Sequence, residues 1–164
     1  MKSFKILLLA SLLVSIVALP NCGPNDPDGK DKTDTAKGQA ELLVQSWTLQ
    51  PNKAESDESG IVTDWNGLTL TFTGDKTGGT FSTNVSSLSG DAISEEVWPE
   101  SDNWSFLVIN NKTIIGTIVR DSDEIEMTVS VTTTSLIVTF TVGASGNRLS
   151  SVNGDWSFVF DRSN

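Results

Sequence analysis

Glu124 and Glu126 are the residues best spaced for hydrolytic chemistry. On an extended strand they share a face, roughly 7 Å apart, within the range of glycosidase carboxylate pairs. They also stand opposite Ile125 and Met127. If that apolar set points inward, both glutamates point into water, where neither gains the raised pKa a general acid needs. Glu95-Glu96 is a second acidic pair, in a loop with no nameable partner. The chain has no His, no Tyr and one Cys, at position 22. Histidine-based zinc and haem sites, Ser-His-Asp and Cys-His arrangements and an intrachain disulfide are thereby excluded. No Ser-x-x-Lys element falls on a helical pattern. Asp26, Asp28 and Asp31, with Gly29 between them, offer oxygens at the spacing of a calcium loop, but no later glutamate or flanking helices complete it. No catalytic residue, metal or cofactor is therefore expected. Five tryptophans carry the strongest remaining signal. Trp47, Trp104 and Trp156 share strand faces with other apolar residues and read as core. Trp65 and Trp98 lie in or beside turns, and each reads either as a lid over the core or as a stacking platform for a sugar or apolar ligand.

Those side chains must be positioned by strands. Ile125, Met127, Val129 and Val131 alternate with Glu126, Thr128 and Ser130, and Leu136, Val138, Phe140 and Val142 with Ile137, Thr139 and Thr141. Period two means one wet face and one buried face. Leu68, Leu70 and Phe72 alternate with threonines that also favour extended backbone. Trp104, Phe106 and Val108 repeat the pattern, and Asn110-Asn111 is a turn signal before an Ile114 to Val119 segment that is apolar on both faces. A weaker strand covers Thr80 to Val85, and the last places Trp156, Phe158 and Phe160 on one face. Gln45 to Leu49 reads as the first strand, after a short helical turn over Glu41 to Val44, and Pro51 to Gly60 reads as an acidic loop. Glu124 to Val131 and Ser135 to Val142 are the best-marked strands, with Gly143 to Asn147 closing the second. The count predicts an all-β domain, an antiparallel up-and-down meander of about eight strands forming a small barrel, with a β-sandwich as the alternative. Aromatics on both terminal strands predict that the ends meet.

The 164 residues suffice for one such domain, over 39–164. Residues 1–21 hold Lys2, Lys5 and an apolar run from Ile6 to Leu19, the length of a signal-peptide core and short of a membrane span. The run ends Ala18-Leu19-Pro20-Asn21-Cys22, which resembles a bacterial lipoprotein signal with Cys22 as the lipid (palmitate) attachment site. Residues 22–38 are polar, acidic and without large apolar side chains, and read as a flexible tether. Acidic residues just after the cysteine resemble the surface-export signal of Bacteroidota lipoproteins, and Asp34-Thr35-Ala36 fits their short O-glycosylation pattern at Thr35. The Asn84, Asn103 and Asn111 sequons are coincidental in a bacterial setting. Removing the two leader lysines takes the formal charge from −10 to −12. Such a surface repels phosphate backbones, so nucleic acid is not an expected partner.

The segments Thr63 to Thr73, Val97-Trp98-Pro99, Asn103 to Phe106, Ile118 to Asp121, Leu136 to Thr141 and Val152 to Phe158 together resemble the small lipocalin-like lipoproteins common in Bacteroidota. Lipocalins carry Gly-x-Trp on their first strand, and Gln45-Ser46-Trp47 keeps the Trp without the Gly. The resemblance, over about residues 42 to 161, implies a barrel that is filled by side chains or holds one small ligand. The resulting expectation is a non-enzymatic, monomeric lipoprotein, surface-exposed on the outer membrane of the cell envelope. It binds a small apolar ligand or glycan near Trp65 and Trp98, or serves as a structural or adhesive envelope module without such a ligand.

Overall fold

The structure is a computed structural model that describes residues 35–143 and 152–164. The leader, Cys22, the Asp26/Asp28/Asp31 cluster, most of the tether and most of the Gly143–Asn147 turn lie outside the described residues.

The strands are β1 (Ser46–Ser56), β2 (Gly60–Ile61), β3 (Thr69–Asp75), β4 (Gly78–Thr83), β5 (Ser101–Ile109), β6 (Lys112–Arg120), β7 (Ile125–Val131), β8 (Ser135–Val142) and β9 (Gly154–Arg162), preceded by helix α1 (Ala36–Leu43). Each long strand pairs antiparallel with the next in the chain, and β1 pairs with β9. The eight long strands therefore form one closed barrel, not a sandwich, with β2 as a two-residue flap on the end of β1. The two ends meet as expected, with Leu49 opposite Phe160, Ala54 opposite Phe158 and Ser56 opposite Trp156. In β7 and β8 burial alternates as the period-two pattern predicts, with Ile125, Met127, Val129, Val131, Leu136, Val138, Phe140 and Val142 inside.

Three segments differ from the sequence reading. First, the helix is longer than a turn over 41–44: it starts inside the expected tether, where the Thr35 hydroxyl caps it by accepting from the Gly38 amide at 3.0 Å. Second, β1 runs on through residues expected to be a loop. Its pairing with β9 shifts between Leu49 and Ala54, and the extra residues form a bulge at Pro51 and Asn52, the latter at φ 59°. A bulge is where a strand tolerates proline, and this one is braced by Asn66, which accepts from the Asn52 amide at 2.8 Å. Third, Glu124 is not on a strand. It sits in the β6–β7 turn at φ 60°, and the strand begins at Ile125.

Because strands alternate in direction, the barrel has two distinct ends. The lower end carries α1, the β3–β4, β5–β6 and β7–β8 turns and the end of β9. The upper end carries the end of β1, a 3-10 turn at Thr63–Trp65, the long 84–100 loop and the β6–β7 turn. α1 stoppers the lower end with Ala40 and Leu43, and Trp47 Nε1 donates at 3.0 Å to the Leu43 carbonyl, which also accepts from the Gln45 amide at 2.8 Å. β6 carries its own irregularity: Gly116, at φ 87°, is part of a register shift against β5, and its amide donates to Gln39 Oε1 on α1 at 2.9 Å. Only glycine takes that backbone conformation without strain.

Candidate functional site

The upper end is where the turn tryptophans lie, and both are folded inward. Trp98 and Trp65 are completely buried. Trp98 is carried by the 84–100 loop into the centre of an aromatic cluster. Its ring meets Phe140 at 5.3 Å, Phe158 at 5.6 Å and Phe81 at 5.8 Å between centroids, all edge to face. Trp65 packs edge-on against Phe158 at 5.7 Å and Trp156 at 6.1 Å. Such pairs each add about 0.5–1.5 kcal/mol beyond area burial. In this conformation neither ring offers a face to solvent, so both occupy the lid position of the two readings open from sequence.

Arg120 holds the lid down, a role that its place just after a two-sided apolar run does not signal. It projects from β6 into the barrel and is 1% exposed. Its Nη1 donates to the Val97 carbonyl at 2.7 Å and its Nη2 to the Glu96 carbonyl at 3.0 Å, so the guanidinium grips the loop beside Trp98. The same fork meets Asp123 through Nε at 2.8 Å and Nη2 at 2.5 Å. A buried cation is tolerable only when paired and fully hydrogen-bonded, and the Asp123 carboxylate with two carbonyls meets that demand. On the other side of the lid, Asp64 Oδ2 accepts from the Ala92 amide at 3.1 Å, tying the Trp65 turn to the same loop. Among the described residues four buried side-chain polar atoms remain without a hydrogen-bond partner: the indole nitrogens of Trp65 and Trp98, and the oxygens Glu96 Oε2 and Asn153 Oδ1.

The carboxylates lie outside. Glu124 and Glu126 are both exposed, and the barrel's closure brings them together with Glu55, Asp57 and Asp155 along an open groove of about 870 Å³ at the upper end. Sequence reasoning missed the last three because they come from β1, the residue after it and β9: the β8–β9 pairing sets Asp155 beside Thr141, and only the closing β1–β9 pairing adds Glu55 and Asp57. That seam is knitted by the backbone: the Asp57 amide donates to the Asp155 carbonyl at 3.0 Å, and the Asp155 amide to Asp57 Oδ1 at 2.9 Å. Asp155 also accepts from Thr141 Oγ1 at 2.5 Å. The groove floor includes edges of Phe140 and Trp156, each almost wholly buried. Among the described residues no group of three or more Asp, Glu, Cys or His is placed to hold a metal ion, and no helix is long and apolar enough to cross a membrane. Glu95 is exposed on the lid loop and Glu96 half-buried behind it, engaged with Arg120 through its backbone carbonyl. At the lower end, a hollow of about 480 Å³ separates α1 from the β3–β4 turn, between Lys37, Val44 and Lys76.

Comparison of this chain with protein-family models, with curated proteins and with solved structures finds no match.

Proposed function

We propose that this chain is a non-catalytic, monomeric cell-envelope lipoprotein, anchored at Cys22 and displayed on the outer membrane surface, whose barrel is a filled scaffold acting through its exterior. The observation that carries this reading is Trp98. A completely buried indole, pinned by Arg120 through the carbonyls of Val97 and Glu96, stands where a barrel carrier would keep its ligand. With the interior occupied by the chain's own aromatics, what is left to partners is the outer wall and the acidic upper groove. The barrel itself is consistent with the lipocalin-like character of the sequence, and the acidic surface argues against nucleic acid.

A second reading has one specific observation in its favour. The unpaired indole N–H groups of Trp65 and Trp98 are two donors in an apolar interior, the kind of pair that a small ligand carrying one acceptor would satisfy once the lid lifts.

Native mass spectrometry of the protein extracted gently from its host envelope separates the two. The expected native mass equals the denatured mass, both including the covalent lipid; a stoichiometric extra mass lost on denaturation would overturn the filled-scaffold reading and install the second. For the anchor, Cys22→Ala is expected to move the protein from membrane to soluble fractions, and unchanged fractionation would refute attachment there.

A further inference from the structure

The lower end of the barrel carries a feature that the fold does not need. β4 pairs with β5 only as far as Ser105, and β7 with β6 only from Thr117, so the intervening β5–β6 hairpin runs past the barrel wall as a two-stranded ribbon. Its turn, Asn110 and Asn111 at φ 51° and 61°, is a tight one of the kind Asn favours. The ribbon exposes three large apolar side chains beside its polar turn: Val108 is 58% exposed, Ile109 49% and Ile115 37%. Ile61 and Ile137, the other large exposed apolar side chains among the described residues, stand singly elsewhere and need no explanation. Val108 and Ile109 are consecutive in one strand, paired with Thr113 and Lys112, so they point to opposite faces of the ribbon. A protein partner laid on one face would leave the other wet, whereas a medium that surrounds the ribbon covers both.

Charge points the same way. Lys37 on α1, Lys76 in the β3–β4 turn, Lys112 on the ribbon and Arg162 at the end of β9 all lie at the lower end, with Glu41, Asp75 and Asp161 as the carboxylates there. Every other described carboxylate lies in the upper half. The lower end is therefore close to neutral with exposed cations, while the upper end is strongly acidic and repelled by any anionic surface. The 34 residues that precede Thr35 also join the fold at this end.

We propose that the β5–β6 ribbon is a membrane-contact element: Val108, Ile109 and Ile115 enter the interfacial layer of an anionic bilayer, Lys112 meets lipid phosphate, and Lys37, Lys76 and Arg162 form the surrounding electrostatic contact. Shallow insertion of a few apolar side chains assisted by cations is enough for reversible surface contact. It holds the barrel upright with the acidic groove facing away from the lipid. The contact takes from the anchored reading only the way in which the bilayer is brought near.

The test uses the full chain with Cys22→Ser and one new cysteine, Ile109→Cys on the ribbon or Glu124→Cys at the far end, each carrying an environment-sensitive fluorophore. The chains are mixed with phosphatidylglycerol–phosphatidylcholine vesicles containing a doxyl-labelled lipid. Flotation with vesicles reports attachment by any part of the chain, and quenching reports which end touches lipid. Quenching is expected at position 109 and not at 124, weakening as salt is raised. Lys112→Gln should lower the inserted-to-free ratio of the ribbon about fivefold. Absence of quenching at 109 on chains that float, or equal quenching at both positions, overturns the proposal while leaving the anchor untouched. A fluorophore shift at 109 that grows with protein concentration without vesicles overturns it in favour of a second copy pairing with the open ribbon edges.

Discussion

Truncating Trp98 tests the filled interior most directly. Burying a tryptophan removes about 200 Å² from water, which at ~25 cal/mol per Å² contributes about 5 kcal/mol as an upper bound. Truncations of buried tryptophan cost about 3–5 kcal/mol in practice, because neighbours relax only partly into the space. Phe81, Phe140 and Phe158 each belong to a different strand, and Phe160 neighbours the ring at 6.4 Å, so the wall around Trp98 is fixed by the sheet and has little freedom to collapse. The upper part of that range is expected for Trp98→Ala. In thermal unfolding it corresponds to a melting point lower by about 10–20 °C, and in urea to a lower midpoint at unchanged slope. The vacated space is apolar and dry, so added indole or benzene should restore part of the loss, which exposed-site truncations never permit. A destabilisation below about 1 kcal/mol with no response to indole would refute the placement of Trp98 as a plug and restore it as an exposed stacking platform.

Arg120→Met keeps the bulk of the side chain but removes the grip on Val97 and Glu96 and the charge facing Asp123. It should cost about 3–5 kcal/mol, with amide exchange accelerating first in the 84–100 loop; uniform acceleration across the barrel would show that Arg120 does not latch the lid. Gly79→Ala should destabilise by about 1–3 kcal/mol, because an added Cβ would lie 1.9 Å from the Thr73 carbonyl oxygen and 2.6 Å from Gly74 Cα, both backbone atoms that cannot step aside. A wild-type urea midpoint would contradict that packing of the β3–β4 hairpin. The Asp75 carboxyl is held below its usual value by hydrogen bonds from the Thr77 hydroxyl and the Thr77 amide, with Lys76 adding to the effect. A lowered folded-state pKa means that its contribution to stability is present above the unfolded-state pKa and lost as pH falls through the folded one. Thr77→Val should therefore raise the Asp75 titration midpoint in carboxyl-detected NMR, and an unmoved midpoint would exclude the hydroxyl as the main cause.

The strands that could be read from sequence are those whose two faces meet different solvents. β7 and β8 alternate without exception because each wall residue is either in the core or in water, and aromatics on both terminal strands point to the closure, although Trp47 stands opposite Arg162 and the β9 aromatics opposite Leu49, Ala54 and Ser56. Elsewhere tertiary contacts override local chemistry. Pro51 and Asn52 look like a loop, yet the flanking Leu49 and Ala54 both reach β9, so the strand persists around a bulge. In sequence Glu124 extends the β7 pattern, but its positive φ places it in the turn. Ile114 to Val119 defied an inward assignment for a physical reason: β6 leaves the wall at Gly116, and below that point it has no inside. Sequence leaves the burial of Trp65 and Trp98 open, because how deep a loop tryptophan goes depends on whether its loop folds over the barrel end. Here Arg120 and Asp64 decide that, and neither advertises the role in a local pattern.

The energetics of the lid also bear on where a partner can bind. A ligand inside the barrel must first displace Trp98, and its apparent affinity is reduced by the fraction of molecules with the lid open. If lifting the ring forfeits about 4 kcal/mol of burial, that fraction is on the order of 10⁻³, since each 1.4 kcal/mol is tenfold. The loss of Arg120's bonds to Val97 and Glu96 lowers it further. A compound with micromolar affinity for the open barrel would then bind only in the millimolar range. An interior carrier is under pressure to avoid such a penalty, whereas a scaffold benefits from it, because the same closed lid fixes the β6–β7 turn and the β1–β9 seam that line the acidic groove. Rigidity gained by filling the barrel suits a surface that must hold its shape outside it, as the scaffold proposed above requires of the wall and the upper groove.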